Sequence, residues 1–173
     1  MGDPKRRRKK YEGPRHPWQL DQLEAELKLI GEYGLRNKRE LWRLKSMLSK
    51  VRGIARALLG MAEEERAERQ MEYLKMLIKL GLLREDATID DVLDLDVKDL
   101  LERRLQTIIY RKGLAKTIHQ ARQMIVHGHV QIRDRRVTAP GYLVKRDEEP
   151  SISYNPRSQF PEPEHPIPTG GRT

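Results

Sequence analysis

The sequence contains no cysteine, which excludes disulfide bonds, thiolate zinc sites and catalytic thiols. Aromatic residues make up only 5% of the 173 residues, so a protein that binds single strands by stacking bases on aromatic side chains is not indicated. No apolar run approaches the roughly 20 residues that a membrane-spanning helix needs. The basic run at the N-terminus is not followed by an apolar stretch, and we expect no secretory signal. These absences favour a soluble, cytoplasmic protein.

Positive charge dominates the chain and is unevenly distributed, with a formal net charge of +9. Residues 1–60 carry 16 Lys+Arg and 7 Asp+Glu, residues 61–100 carry 6 and 12, and residues 101–160 carry 12 and 5. Two separated basic blocks suit a long polyanion, whereas a membrane-surface protein more often gathers its charge on one helix or one cluster. The charge pattern therefore favours a nucleic acid as the partner over a membrane.

The two ends of the chain have the composition of irregular segments. The first 17 residues combine the run PKRRRKK with Gly13, Pro14 and Pro17, and cannot bury enough apolar surface to fold alone. We predict that residues 1–17 form a basic extended arm that orders on its partner. Residues 159–173 are rich in proline and glycine, which predicts an irregular or disordered tail.

Apolar residues at helical spacing predict a helical domain over residues 18–95. Asn37 with Glu40 resembles a capping box, and apolar residues then recur every three to four positions up to Leu58, which predicts a long amphipathic helix. Its polar face is basic and carries Arg39, Arg43, Lys45, Lys50, Arg52 and Arg56. A run of glutamates begins the next helix, in which Met71 belongs to the predicted buried stripe.

Residues 97–158 change from helical spacing to strand-like spacing. One helix is predicted from Val97 to Gly113, and a second follows the capping box formed by Thr117 and Gln120. Short apolar segments at a period near two then suit strands. We therefore expect an α+β fold class, in which an N-terminal helical unit is joined to a small domain of two to three helices packed on a short antiparallel sheet.

The stretch QARQMIVHGHVQI places two histidines and a glycine where the helix gives way to a strand. A zinc site through His127 and His129 would need further ligands, and no second ligand pair is present. No nucleophile, metalloprotease or phosphate-loop motif is found, so we expect no enzyme activity and no cofactor. A helix cap accounts for Gly128, which can adopt a positive φ, and for His127 in the last turn. The polar residues nearby form either a solvated charged face or a surface that binds RNA.

Basic residues around this corner favour the RNA interpretation. Between Arg103 and Arg146, Asp134 is the sole acidic residue. Lys116 and Thr117 lie at the start of the second helix, where free backbone N–H groups attract phosphate. Three arginines follow the corner, namely Arg133, Arg135 and Arg136.

Residues 103–155 resemble the RNA-binding domain named for ribosomal protein S-four, through RRLQTIIYRKGLAKTIHQARQMIVHGHVQI and the later RRVTAPGYLV. The domain also occurs in RNA-modifying enzymes, in a ribosome-associated heat-shock protein and in a tRNA synthetase, so alone it implies RNA binding and not one function. The segments GDPKRRRKKYEGPRHPW and LKLIGEYGLRNKRELWR extend the resemblance to the archaeal and eukaryotic branch of the small-subunit ribosomal protein S-four family. The archaeal form fits best, because the chain is short and lacks a long basic C-terminal extension.

This resemblance implies a structural constituent of the small ribosomal subunit that binds small-subunit rRNA directly, nucleates assembly and contributes to translational accuracy. It also implies a place near ribosomal protein S-five and near the site where mRNA enters. The matching positions of the domain imply RNA contacts from Arg104, Arg111, Lys116, Thr117, Gln120, Arg122, Gln123, His127, Gly128 and His129. To these we add the hairpin arginines Arg133, Arg135 and Arg136, the arm residues Lys5, Arg6, Arg7, Arg8, Lys9 and Lys10, and the helix residues Arg39, Arg43, Arg52 and Arg56.

The sequence departs from the family pattern at two positions of this domain. Arg133-Asp134 stands where many members have an Asn-Gly turn, so we expect a longer or differently shaped hairpin. Gln106 stands where many members have aspartate, and a salt bridge from that position is not expected. The zinc site that some bacterial members build from N-terminal cysteines does not transfer. An assembly factor, an RNA-modifying enzyme with the same domain and a membrane-surface protein remain as alternatives.

Overall fold

The computed structural model describes residues 8–158, which form seven α-helices, one 3-10 helix and a three-stranded antiparallel sheet. The α-helices are α1 (Leu20–Glu32), α2 (Lys38–Leu59), α3 (Glu63–Lys79), α4 (Ile89–Asp94), α5 (Val97–Glu102), α6 (Leu105–Arg111) and α7 (Ile118–His127). The 3-10 helix spans Arg146–Ser151, and the strands are β1 (Val130–Ile132), β2 (Arg135–Arg136) and β3 (Ile152–Tyr154), in the sheet order β2-β1-β3. The fold class is α+β, as predicted.

Helix α2 is the centre of the helical unit, and α1, α3, α4 and α5 all pack against it. The side chain of Asn37 accepts a hydrogen bond from the backbone N–H of Glu40 at 3.2 Å, which confirms that Asn37 caps α2. The prediction that Met71 is buried in α3 is wrong, since its side chain is 58% exposed. The buried stripe of α3 includes Tyr73 and Leu77, and a residue two positions before Tyr73 lies on nearly the opposite side of the helix.

The predicted helix from Val97 to Gly113 is interrupted at Arg103 and Arg104. The backbone of Arg104 is extended, and this residue pairs with Leu143 in an isolated bridge. The carbonyl of Arg103 accepts a hydrogen bond from the backbone N–H of Val144 at 3.0 Å. The segment around Leu143 therefore forms hydrogen bonds with backbone groups that a continuous helix would have bonded internally. As a result, two short helices, α5 and α6, form in place of one long helix.

Helices α6 and α7 share a second buried cluster with the sheet. Its members are Leu105, Ile108, Ile109, Ala115, Ala121, Met124, Ile125, Val130, Ile132, Val144 and Ile152. The β1–β2 hairpin has a two-residue turn, because Ile132 lies opposite Arg135. Arg133 has a φ of 54° and is the sole non-glycine residue between 8 and 158 with a positive φ. The turn thus differs in shape, and not in length, from the Asn-Gly type, which needs a positive φ at both central positions.

The two buried clusters meet between Leu101 and Leu105. Leu100 and Leu101 of α5 pack with the helical cluster, although the sequence predicts that α5 belongs to the second unit. We therefore propose that the boundary between the two units lies at Arg103 rather than between residues 95 and 97. Along residues 8–158, no helix has the length and apolar character needed to span a membrane.

The start of the described chain lies against α2. The Tyr11 and Trp42 rings are 5.9 Å apart at their centroids, and the backbone N–H of Glu12 donates to Ser46 Oγ at 2.9 Å. This end of the predicted arm is therefore attached to the helical unit. Residues 1–7 of the arm and the predicted tail 159–173 lie outside the described residues.

Candidate nucleic-acid interface

Helix α7 ends at a tight corner where four of the predicted RNA-binding residues meet. Gly128 adopts the predicted left-handed conformation, with a φ of 79°. The His127 and His129 rings on either side have centroids 6.3 Å apart. The Arg136 side chain crosses directly over the glycine, since a Cβ at Gly128 would lie 2.8 Å from Arg136 Cδ. Asn155 supports the corner from behind, because its backbone N–H donates to the His129 carbonyl at 2.8 Å.

We expect Gly128→Ala to destabilise the protein by about 1–2 kcal/mol, because a side chain in the left-handed region is strained. The added Cβ would also push Arg136 away from the corner. Urea unfolding followed by circular dichroism measures the effect. Gly141→Ala is the control, because a Cβ there would lie 3.6 Å from its nearest neighbouring atom, an ordinary contact. Equal losses in the two variants would contradict the special role of the corner.

The polar side of α7 leads from its first turn to this corner. Thr117 Oγ accepts a hydrogen bond from the backbone N–H of Gln120 at 3.1 Å, which confirms the predicted cap. Gln120 Oε1 accepts from the backbone N–H of Lys116 at 2.7 Å and not from that of Thr117, so the capping box is completed one residue earlier. Gln123 and His127 are exposed and four residues apart, so they lie on one side of α7, and the exposed Lys116 lies just before the N-cap Thr117.

We define the corner surface as Lys116, Gln123, His127 and Arg136. It continues into the hairpin, where Arg133 and Arg135 are also exposed. Thr117, Gly128 and His129 contribute chiefly to its framework, and His129 Nδ1 lies 3.0 Å from Ser158 Oγ. The corner surface thus presents two long cations, an amide and an imidazole on a rigid base.

Arg104 requires a correction, because it lies in the interior. Its side chain is 3% exposed, and Nη2 is 2.7 Å from Glu40 Oε2. Burial lowers the pKa of the guanidinium, and the hydrogen bond to Glu40 partly opposes that shift. Because the side chain is almost completely buried and is paired with a carboxylate, this structure does not support the predicted direct RNA contact.

Arg122 binds the same carboxylate from α7. Its Nη2 is 2.6 Å from Glu40 Oε1, and its Nη1 donates to Gln106 Oε1 at 3.2 Å. Gln106 is fully buried and donates through Nε2 to the carbonyls of Gly34 and Ile118, at 3.0 and 3.1 Å. We call Glu40, Arg104, Gln106 and Arg122 the joint. It connects α2 and the α1–α2 loop to α6 and α7.

Opposing effects set the ionisation of Glu40 in the joint. Burial raises the pKa of its carboxyl, but hydrogen bonds from Arg122 and Arg104 outweigh burial and leave the pKa below its usual 4.5. Glu40 is therefore a carboxylate at neutral pH. Sequence reasoning assigned it to the cap of α2 and missed its role in the joint.

Two further predicted RNA-binding arginines have partners inside the protein. Arg111 pairs with Glu102 at 2.8 Å, although its side chain remains 58% exposed, and Glu102 also accepts from the Tyr33 hydroxyl at 3.0 Å. Arg52 donates to the carbonyl of Leu95 and so ties α2 to the link between α4 and α5. The other predicted residues of α2 and of the described arm are exposed, namely Arg39, Arg43, Arg56, Arg8, Lys9 and Lys10. Lys5, Arg6 and Arg7 fall outside residues 8–158.

The histidine corner offers no cluster of metal ligands. Within the part of the chain that the structure describes, no three His, Cys, Asp or Glu side chains are grouped so that they could hold a metal ion. The polar groups of the corner surface are instead donors on an exposed helix side and hairpin. Their arrangement suits an extended anion more than a small enclosed ligand.

Comparison with known proteins identifies the family. A model described as Ribosomal protein S4/S9 N-terminal domain matches residues 3–102, and one described as S4 domain matches residues 103–149. Small ribosomal subunit protein uS4 of Ignicoccus hospitalis is 56% identical over 160 residues, covering 92% of this chain and 96% of its own. The proteins of that name from Metallosphaera sedula and Hyperthermus butylicus are each 54% identical, with 92% of this chain covered and 89% and 91% of theirs. The chain therefore belongs to the small ribosomal subunit protein uS4 family.

Proposed function

We propose that the protein is a structural constituent of the small ribosomal subunit that binds small-subunit rRNA directly, nucleates assembly and contributes to translational accuracy. Membership of the uS4 family supports the ribosomal role, and the corner surface is the observation that supports direct binding to RNA. We further propose that it acts in the cytoplasm without a cofactor and without enzyme activity. Its neighbours would be ribosomal protein S-five, other small-subunit proteins and the region where mRNA enters.

The chemistry of the corner surface fits structured RNA. The major groove of an A-form helix is too deep and narrow for side chains to reach the base edges, so shape, phosphates and 2′-hydroxyls are recognised instead. Lys116 and Arg136 can donate to phosphate oxygens, while Gln123 and His127 can exchange hydrogen bonds with 2′-hydroxyls. A rigid base matters because it places these donors before the RNA arrives.

A second basic surface extends the footprint. Arg39, Arg43 and Arg56 of α2 are exposed, whereas residues 61–100 carry an excess of acid. We propose that rRNA contacts the corner surface together with the side of α2 that carries Arg39 and Arg43, which are four residues apart. The arm, attached to α2 at Tyr11 and Glu12, would then place its basic residues on the RNA. The acidic segment would face away from the phosphate backbone, because like charges repel.

The test is a salt titration of binding to a small-subunit rRNA junction fragment. Lys116→Ala combined with Arg136→Ala should make the slope of log affinity against log salt shallower by about two units, roughly one for each lost phosphate contact. Lys75→Ala combined with Lys79→Ala is the matched control, since both lysines are exposed on α3 and the net charge changes equally. If both pairs alter the slope alike, binding follows net charge and the corner surface is not the site.

A further inference from the structure

Glu40 is the one carboxylate of the joint, and both of its oxygens are in use. Oε1 accepts from Arg122, while Oε2 accepts from both Arg104 and Arg122. Two guanidinium groups of the RNA-binding domain therefore converge on one side chain of the helical unit. The contact is largely shielded, because the side chain of Glu40 is 22% exposed and that of Arg104 only 3%.

The joint lies between the two surfaces that we propose contact RNA. On α2, Glu40 is flanked by the exposed Arg39 and, one turn further, by the exposed Arg43. On α7, Arg122 precedes Gln123 of the corner surface. A cleft of about 390 Å³ beside the joint is lined by Glu40, Arg43, Arg104 and Arg122 together with residues 139–142. Glu40 and the side chains that contact it therefore set the orientation of one surface relative to the other.

We propose that Glu40 is a positioning residue for RNA binding, which holds the basic side of α2 and the corner surface in one fixed relative orientation. This inference rests on the proposed function. Two surfaces that are held rigidly bind one RNA without the loss of freedom that two loosely joined units would suffer. Glu40 itself does not contact RNA, because its carboxylate is negative and its oxygens are occupied.

The direction in which Glu40→Gln changes the affinity for RNA distinguishes a positioning role from a purely electrostatic one. Glu40→Gln removes a negative charge close to three arginines, which on charge alone would strengthen the attraction for a polyanion. Positioning predicts the opposite result, a weakening of about tenfold, which lies within the usual range of coupling between two sites. The measurement is the dissociation constant of the full chain for the rRNA junction fragment at fixed salt.

Glu85→Gln is the matched control. Glu85 also pairs with an arginine across the structure, Arg146 at 3.3 Å, but its side chain is 83% exposed. Exposed pairs contribute little, so this variant should bind RNA as wild type does or slightly more tightly. Weakening by both variants to the same extent would overturn the assignment to Glu40.

A direct readout of orientation accompanies the affinities. Because the chain has no cysteine, Lys75→Cys and Ser153→Cys allow spin labels to be placed specifically on α3 and β3. We expect one narrow distance distribution in the otherwise unchanged chain and a broader one in Glu40→Gln. An unchanged width together with equal or tighter RNA binding would overturn the proposal.

Glu40→Asp covers the case in which Glu40→Gln does not fold. It keeps the charge but shortens the side chain by one methylene, so both arginines cannot be reached in the same geometry. Weaker binding by this variant with its charge intact supports positioning, and wild-type affinity contradicts it. If wild type itself shows no preference for the junction over a duplex, the proposed function fails first, and that result is distinct from a failure at Glu40.

Discussion

Arg104→Ala is expected to lower the free energy of unfolding by about 3 kcal/mol, the lower part of the range for breaking a buried ion pair. The guanidinium is almost completely buried against Glu40, and its removal leaves a carboxylate that has lost one of two cations. The lower part of the range applies because Arg122 remains and Glu40 is partly exposed. Urea unfolding at neutral pH, followed by far-ultraviolet circular dichroism, gives the value.

Arg135→Ala provides the comparison for this experiment. Arg135 is an exposed arginine of β2, so its loss should change stability by no more than about 0.5 kcal/mol. The two variants remove the same side chain and the same charge, and differ in burial. If Arg104→Ala proves as stable as Arg135→Ala, Arg104 does not stabilise the fold. That result would favour the prediction that Arg104 contacts RNA.

Gln106→Leu is expected to destabilise the protein by about 3 kcal/mol, because each buried polar group left without a partner costs about 1–3 kcal/mol. Leucine has a similar volume but cannot donate to the carbonyls of Gly34 and Ile118 or accept from Arg122. Three groups therefore lose a hydrogen bond, although Arg122 Nη1 keeps Glu40 Oε2 as a partner. The apolar side chain recovers part of the loss by burial. Thermal and urea unfolding should agree on the direction.

Gln123→Leu is the control for Gln106→Leu. Gln123 is exposed on the same domain, so its replacement should leave stability within about 0.5 kcal/mol of wild type. A small effect at Gln106 as well would mean that the buried carbonyls find other partners. The joint would then depend on its ion pairs alone.

Several features that local sequence signals determine were predicted correctly. The cap at Asn37, the apolar periodicity of α2 and the left-handed Gly128 each depend on residues within a few positions of one another. The break between α5 and α6 was missed because its cause is distant. The apolar spacing runs through Arg103 and Arg104 without interruption, and pairing with the segment around Leu143 alone ends the helix.

The same difference between local and distant contacts explains which parts of the candidate site were predicted. The corner was found because its histidines, glycine and basic residues are neighbours in sequence. The pairing of Arg104 and Arg122 with Glu40 was missed because Glu40 lies 64 and 82 residues away from them, and an arginine looks alike in sequence whether its partner is a phosphate or a carboxylate. The sequence did single out Glu40, as the second residue of the capping box. Its side chain, however, binds two arginines, and Asn37 alone caps α2.

We propose above all that the chain binds small-subunit rRNA specifically through the corner surface. The most direct test is binding of the full chain to the rRNA junction fragment with a duplex of equal length as competitor, at rising salt. We predict a preference for the junction that survives raised salt and is lost when Lys116 and Arg136 are both replaced by alanine. Equal binding to junction and duplex, disappearing together as salt rises, would contradict the account.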